Sequence, residues 1–382
     1  MILKKLLNND KVPGILLILC TVFSLLVANS GWGEGYHHFW MTALPLGPLE
    51  FWINDGLMAV FFLFVGLELK KEIHSGELSN MRAALLPIFA AVGGVLLPAV
   101  IYMYYNHDTP TAHGWGIPMA TDIAFALGIL SLLGSRVPVG MKVFLTALAV
   151  IDDLMAILVI GFFYTSDFDG LQLLISIVLL GVLYAFGKKG FNGLWLYLLL
   201  GAAAWYFMLQ SGVHATIAGV LLAFTIPYNT ISPEKSLSDQ LEHALAKPVS
   251  FFILPLFALA NTAIEIDSDA VEGLTHANAM GIYGGLILGK PLGITLFSFL
   301  AVSMGWCMLP SQMDWKRMFA VACLGGIGFT MSIFITNLAF NVTEYIVISK
   351  MAILISSTVA ALLGFVLLKI TLRKEIIEKS VE

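Results

Sequence analysis

The chain has 382 residues, of which 59% are hydrophobic and 12% charged, with a formal net charge of −5. A soluble globular domain carries about 25% charged residues, so this composition excludes one and leaves a polytopic membrane protein. The net charge says little about partners in a chain with so little water-facing surface, and no basic stripe suited to nucleic acid is present, so no nucleic-acid partner is expected.

Charge-poor runs of spanning length recur at 12–30, 51–67, 83–105, 116–134, 139–163, 170–187, 191–210, 211–226, 250–265, 279–303, 318–340 and 346–369. They predict an all-α protein of about twelve transmembrane helices in a single domain, 1–382. Lys4, Lys5 and Lys11 ahead of the first run imitate a signal peptide. That run is long enough to span and has no A-x-A site after it, so it is expected to be retained. Cys20, Cys307 and Cys323 show no CxxC spacing, which points to neither a disulfide framework nor a zinc site. No cofactor is expected, and no GxxxxGK[ST] phosphate loop is present.

Cytoplasmic loops retain Lys and Arg, which tests the span count independently. Counting from an inside N-terminus, alternate connections hold Lys4, Lys5 and Lys11; Lys70, Lys71 and Arg82; Arg136 and Lys142; Lys188 and Lys189; Lys235 and Lys247; Lys316 and Arg317; and Lys369, Arg373, Lys374 and Lys379. Eighteen of the twenty basic residues thus fall on one side, and both termini are expected in the cytoplasm. Of the two others, Lys350 is expected to snorkel from a helix end, whereas Lys290 lies in mid-span.

The triplets 83–163 and 279–369 cross the membrane in opposite senses, the topology of an inverted repeat (spans 3 to 5 and 10 to 12). The middle span of each is rich in helix breakers. Pro118 precedes Asp122 by four residues in one, and Gly325, Gly326 and Gly328 cluster in the other. Two broken helices in corresponding positions point to a site at the membrane midplane.

Asp122, Asp152, Asp153 and Lys290 all lie near the centres of their spans. An acid there costs roughly 2.5 to 3.5 kcal/mol on insertion scales, which marks these residues as functional. Asp152 and Asp153 point about 100° apart on a helix, so one can face a ligand with Asp122 while the other pairs with Lys290. Carboxylates crowded in a low dielectric hold protons, and a small hard cation satisfies the same oxygens. Protons and sodium then compete for one site, and a site that opens to each side in turn exchanges them. Asp55 is a further candidate, Glu68, Glu72, Glu242 and His243, which cluster at cytoplasmic helix ends, are titratable candidates for pH sensing, and His214 in the eighth span reads as a helix-packing histidine.

The segments LMAVFFLFVGLELKKE (57–72), ATDIAFALGIL (120–130), VIDDLMAILVI (150–160), SGVHATIAGV (211–220), GKPLGI (289–294) and GIGFTMSIFI (326–335) resemble signatures of the NhaA family of sodium/proton antiporters. The resemblance covers essentially the whole chain. It implies that Asp122 and Asp153 frame the site for Na+, Li+ and H+, with Thr121 beside it and Asp152 paired to Lys290. It implies crossing broken helices at Asp122 and Gly326, and alkaline activation through Glu68, Glu72, Glu242, His243 and His214. It also implies an electrogenic exchange of more protons than sodium ions, a bacterial inner-membrane location among lipid, and a homodimer joined by a β-hairpin in the external loop 31–50. Met155 and Lys247 depart from the family pattern. The rival readings are a sodium-coupled symporter of organic anions, an intramembrane aspartyl protease, which would lack its GxGD signature here, and a passive channel.

Overall fold

A computed structural model of the chain describes residues 11–165, 168–229, 234 and 236–379, without the side chains of 77, 81, 82, 135 and 373–379. Of the basic residues that oriented the chain, Lys4, Lys5, Lys235 and the side chains of Arg82, Arg373, Lys374 and Lys379 lie outside the described residues.

The elements run in order α1 (Val12–Ala28), α2 (Gly33–Trp40), β1 (Ala43–Leu44), β2 (Gly47–Pro48), α3 (Leu49–Ser75), α4 (Met81–Asn106), a 3-10 segment (Ala112–Met119), α5 (Ile123–Leu132), α6 (Val139–Phe163), α7 (Gly170–Lys188) and α8 (Leu194–Gln210). Then follow α9 (Thr216–Thr225), α10 (Leu237–Asn261), α11 (Ser268–Gly273), α12 (Ala277–Ser303), α13 (Trp315–Gly325), α14 (Phe329–Ala339) and α15 (Thr343–Lys379). Helix starts follow local chemistry. Asp169, Asp314 and Asp267 cap α7, α13 and α11 by accepting backbone N–H bonds from Leu171, Arg317 and Ala270.

Every one of the twelve apolar stretches holds helix. Among the described residues eight helices are long and apolar enough to cross a membrane, or up to ten if bent pairs count as single spans. The protein is therefore all-α and multi-pass. The eighth stretch holds only the ten-residue α9, and the ninth belongs to a longer helix that starts at Leu237. The loop 31–50 differs from a simple hairpin: α2 occupies its first part, and the antiparallel pairing is limited to Ala43 with Pro48 and Leu44 with Gly47.

The chain forms two compact units. One contains α1, α4, the 3-10 segment, α5, α6 as far as Ala156, and α11 to α15; the other contains α2, the hairpin, α3, the rest of α6, and α7 to α10. In the first unit α4 and α12 meet backbone to backbone. A Cβ on Gly93 would lie 2.2 Å from the Gly293 carbonyl oxygen, and one on Gly293 would lie 2.1 Å from that of Gly93. Small residues let apolar helices approach this closely. In the second unit α9 packs along α3, and Leu183, Tyr197, Ala204 and Ile226 belong to a shared apolar core.

Two lysines correct the sequence reading. Lys350 is buried at 7% exposure, eight residues into α15, rather than exposed at a helix end. Lys70, read as part of a solvated connection, is 6% exposed within α3.

Candidate functional site

Two interrupted helices build the site in the first unit. The 3-10 segment ends at Met119, Ala120 is extended (φ −82, ψ 154), and Asp122 (φ −85, ψ 99) is the N-cap from which α5 starts. Its Oδ1 accepts the Phe125 N–H at 2.9 Å. The second interruption is Gly326–Gly328, where α13 and α14 are bent by 47°. Each break exposes backbone groups that water cannot reach, so they must find partners in the protein.

The two breaks satisfy each other. The Asp122 N–H donates to the Ile327 carbonyl at 2.7 Å, and Ser332 Oγ donates to that of Ile117 at 2.7 Å. Thr330 donates to Asp122 Oδ2 with its N–H at 3.2 Å and also with its hydroxyl. The Phe329 N–H goes to Ser357 Oγ at 3.1 Å. Asp122 thus caps α5 with one oxygen and the start of α14 with the other.

Beside the crossing, Lys290 follows a π-helical turn of α12, Gly284–Gly289. Its Nζ lies 2.8 Å from Asp152 Oδ2 and donates to the Met119 carbonyl at the first break. Both side chains are at 0% exposure. Thr121 Oγ1 has one proton and two acceptors in range, Asp152 Oδ2 at 2.7 Å and the Gly325 carbonyl at 2.8 Å, so it serves one at a time. Asp152 Oδ1 is buried and accepts no hydrogen bond among the described residues. Asp153, next on α6 and 2% exposed, acts electrostatically on Lys290.

The sequence-derived residues Asp122, Asp152, Asp153, Thr121 and Lys290 therefore gather in one unit with Gly325, Gly326 and Gly328 at the second break. Thr330, Ser357 and the Met119 carbonyl belong to the same network and were not read from the sequence. The sequence signal for Thr330 is its place in the segment 326–335, four residues after Gly326.

The remaining candidates sit in the second unit. Lys71 Nζ bridges Asp239 Oδ1 at 3.1 Å and Glu242 Oε2 at 2.7 Å, and His243 Nε2 is 3.4 Å from Asp239 Oδ2. Glu68 is within electrostatic reach of Glu242, Glu72 and Lys71. His214 is apart from that cluster, with its Nε2 2.8 Å from the Tyr164 carbonyl at the start of α9. Asp55 lies in the π-helical turn Trp52–Leu57, where its backbone carbonyl accepts Trp205 Nε1–H at 3.2 Å.

A family model described as Na+/H+ antiporter 1 matches residues 4–368. A protein of Dechloromonas aromatica is 57% identical over 360 residues, covering 94% of this chain and 92% of its own. One of Cytophaga hutchinsonii is 54% identical over 371 residues, with 97% and 96% covered. One of Vibrio cholerae is 48% identical over 366 residues, with 95% and 96% covered. All three are named Na(+)/H(+) antiporter NhaA.

Proposed function

This chain belongs to the Na+/H+ antiporter 1 family and is a multi-pass membrane transporter exchanging Na+ for H+, and from that premise we propose that the two ions compete for Asp122 and Asp153 beside the crossed breaks. The chain is not an enzyme, and the symporter, protease and channel readings have no support.

The observation that carries the proposal is the burial of Asp122, Asp152, Asp153 and Lys290, each at most 2% exposed, around two helix breaks. A water-poor carboxylate site holds protons or a cation but not both, since either one neutralises the charge. Asp122 and Asp153 offer oxygens to Na+ or Li+, and Thr121 and the backbone carbonyls at the breaks complete the polar lining. Asp152 and Lys290 neutralise each other and keep the breaks tied together. Releasing more protons than sodium ions taken up makes the exchange electrogenic. The proposed setting is the bacterial inner membrane with both termini cytoplasmic. The proposed assembly is a homodimer formed through the 31–50 segment. Glu68, Glu72, Glu242 and His243, gathered around Lys71 and Asp239, are the proposed origin of alkaline activation, with His214 acting separately through Tyr164.

The test uses proteoliposomes with an acid interior. External Na+ or Li+, but not K+, should make the interior alkaline, and Asp153→Asn and Asp122→Asn should each abolish the response in folded protein. Full exchange by either folded variant would remove that aspartate from the site.

A further inference from the structure

Lys70 is a buried cation that the exchange site does not use. Its Nζ donates to the backbone carbonyls of Ala223 at 3.3 Å and Phe224 at 3.1 Å, and to that of Ile226. All three acceptors lie in the last turn of α9 or just past it. The last carbonyls of a helix have no intrahelical partner and carry the negative end of its dipole, about half a charge. An ammonium has three donors, so three carbonyls match it one to one.

The usual partner of a buried lysine is a carboxylate. Among the described residues none is in ion-pair contact with Lys70, since neighbouring Lys71 takes Asp239 and Glu242. The cage is therefore built from backbone alone. Its position explains the need for it: the acceptors are the last carbonyls of a helix, which no further turn of that helix satisfies. Near its other end α9 touches α6. His214 bonds to the Tyr164 carbonyl just after α6, and Ile217 packs 3.2 Å from where a Cβ on Gly161 would stand. Asp152 and Asp153 lie about two turns earlier on α6.

We propose that the carbonyl end of α9 is a cation cage suited to a primary ammonium or a small monovalent cation, and that Lys70 is its tethered occupant. Lys70 is then a positioning residue. By neutralising one end of α9 it keeps the other end braced against α6, the helix that carries two of the site aspartates. The cage does not depend on how the exchange site divides its work between Asp122 and Asp153.

Guest rescue tests it on the full-length protein. Lys70→Ala removes a group the size of propylammonium, so the variant should unfold at a lower temperature and slow down in tracer Na+/Na+ exchange, a readout that an amine's own proton movement does not disturb. Propylammonium should restore both, with saturation, and 1-propanol of similar size should not. Lys70→Met, which fills the stem without charge, should remain impaired whatever is added. Equal rescue by 1-propanol, or no response of folded Lys70→Ala to propylammonium, would overturn the cage. Where Lys70→Ala does not accumulate, Lys70→Met decides alone: stability and exchange equal to wild type would overturn the proposal.

Discussion

Thr330 holds Asp122 with two donors on the same carboxylate oxygen, its N–H at 3.2 Å and its hydroxyl. The two residues are 208 positions apart and lie at the two helix breaks. The contact makes the second interruption part of the carboxylate's own environment. Thr330→Val keeps the shape and removes the hydroxyl donor, leaving Asp122 Oδ2 with one backbone bond. A hydrogen bond to a charged group is worth about 1.5 to 3 kcal/mol, so the apparent Na+ affinity should change by roughly tenfold or more. Thr330→Ser should stay close to wild type. The half-saturating Na+ concentration of the two variants in proteoliposomes checks this.

The pair Lys290 and Asp152 should behave very differently when broken by one partner and by both. Lys290→Ala leaves Asp152 as a buried acid without its counter-charge, and removing one partner of such a pair costs about 3 to 5 kcal/mol. Adding Asp152→Asn to Lys290→Ala removes the stranded charge and should recover most of the lost stability. Thermal unfolding of the two single variants and the double variant gives the coupling directly. A fully additive result would mean that the 2.8 Å contact contributes nothing.

Much of the candidate site was legible in the sequence because charge in mid-helix is rare and costly, so Asp122, Asp152, Asp153 and Lys290 stand out against an apolar background. The breaks were legible for a related reason, since Pro118 and the glycines at 325, 326 and 328 disfavour continuous helix. What could not be read is which distant backbone groups would meet. The Met119 carbonyl on Lys290 and the Thr330 bonds to Asp122 join segments with no shared pattern in sequence. Lys70 was misread for another reason. It sits in the polar run Lys70–Lys71–Glu72, and the approximately 100° between successive helical residues turns it toward α9 while Lys71 faces Asp239 and Glu242. The helix α2 lies in the segment 31–50, where the resemblance implied only a β-hairpin, and Gly33 and Gly35 within it weaken any helical signal.

Close approach at Gly93 and Gly293 predicts a steep position dependence for alanine substitutions. Gly93→Ala drives a methyl against the Gly293 carbonyl at 2.2 Å, and backbone on both sides leaves no flexible group to yield. Overpacking of this kind costs about 1 to 3 kcal/mol, so the variant should unfold at a lower temperature. Gly181→Ala on α7 meets nothing within 4 Å and should be neutral or stabilising, by up to about 1 kcal/mol. Comparing the two unfolding temperatures separates contact from helix propensity.

The cluster around Lys71 predicts a shift in the pH at which exchange switches on, without loss at the optimum. In the wild type Lys71 is shared by Asp239 and Glu242, at 3.1 and 2.7 Å. Glu242→Gln deletes one negative charge and leaves Lys71 with a single carboxylate partner, so the local potential becomes more positive. A more positive potential favours release of protons from neighbouring groups, and if release activates the protein, the activation midpoint moves to lower pH. Lys71→Met changes the charge in the opposite direction and should move the midpoint to higher pH. Part of the cluster is solvent-exposed, with Lys71 at 32%, so both shifts should shrink at high ionic strength. Initial exchange rates across a pH series, at low and high concentrations of a non-transported salt, test both signs at once. Midpoints that moved the same way in the two variants would remove this cluster from pH control and leave His214 as the candidate to examine.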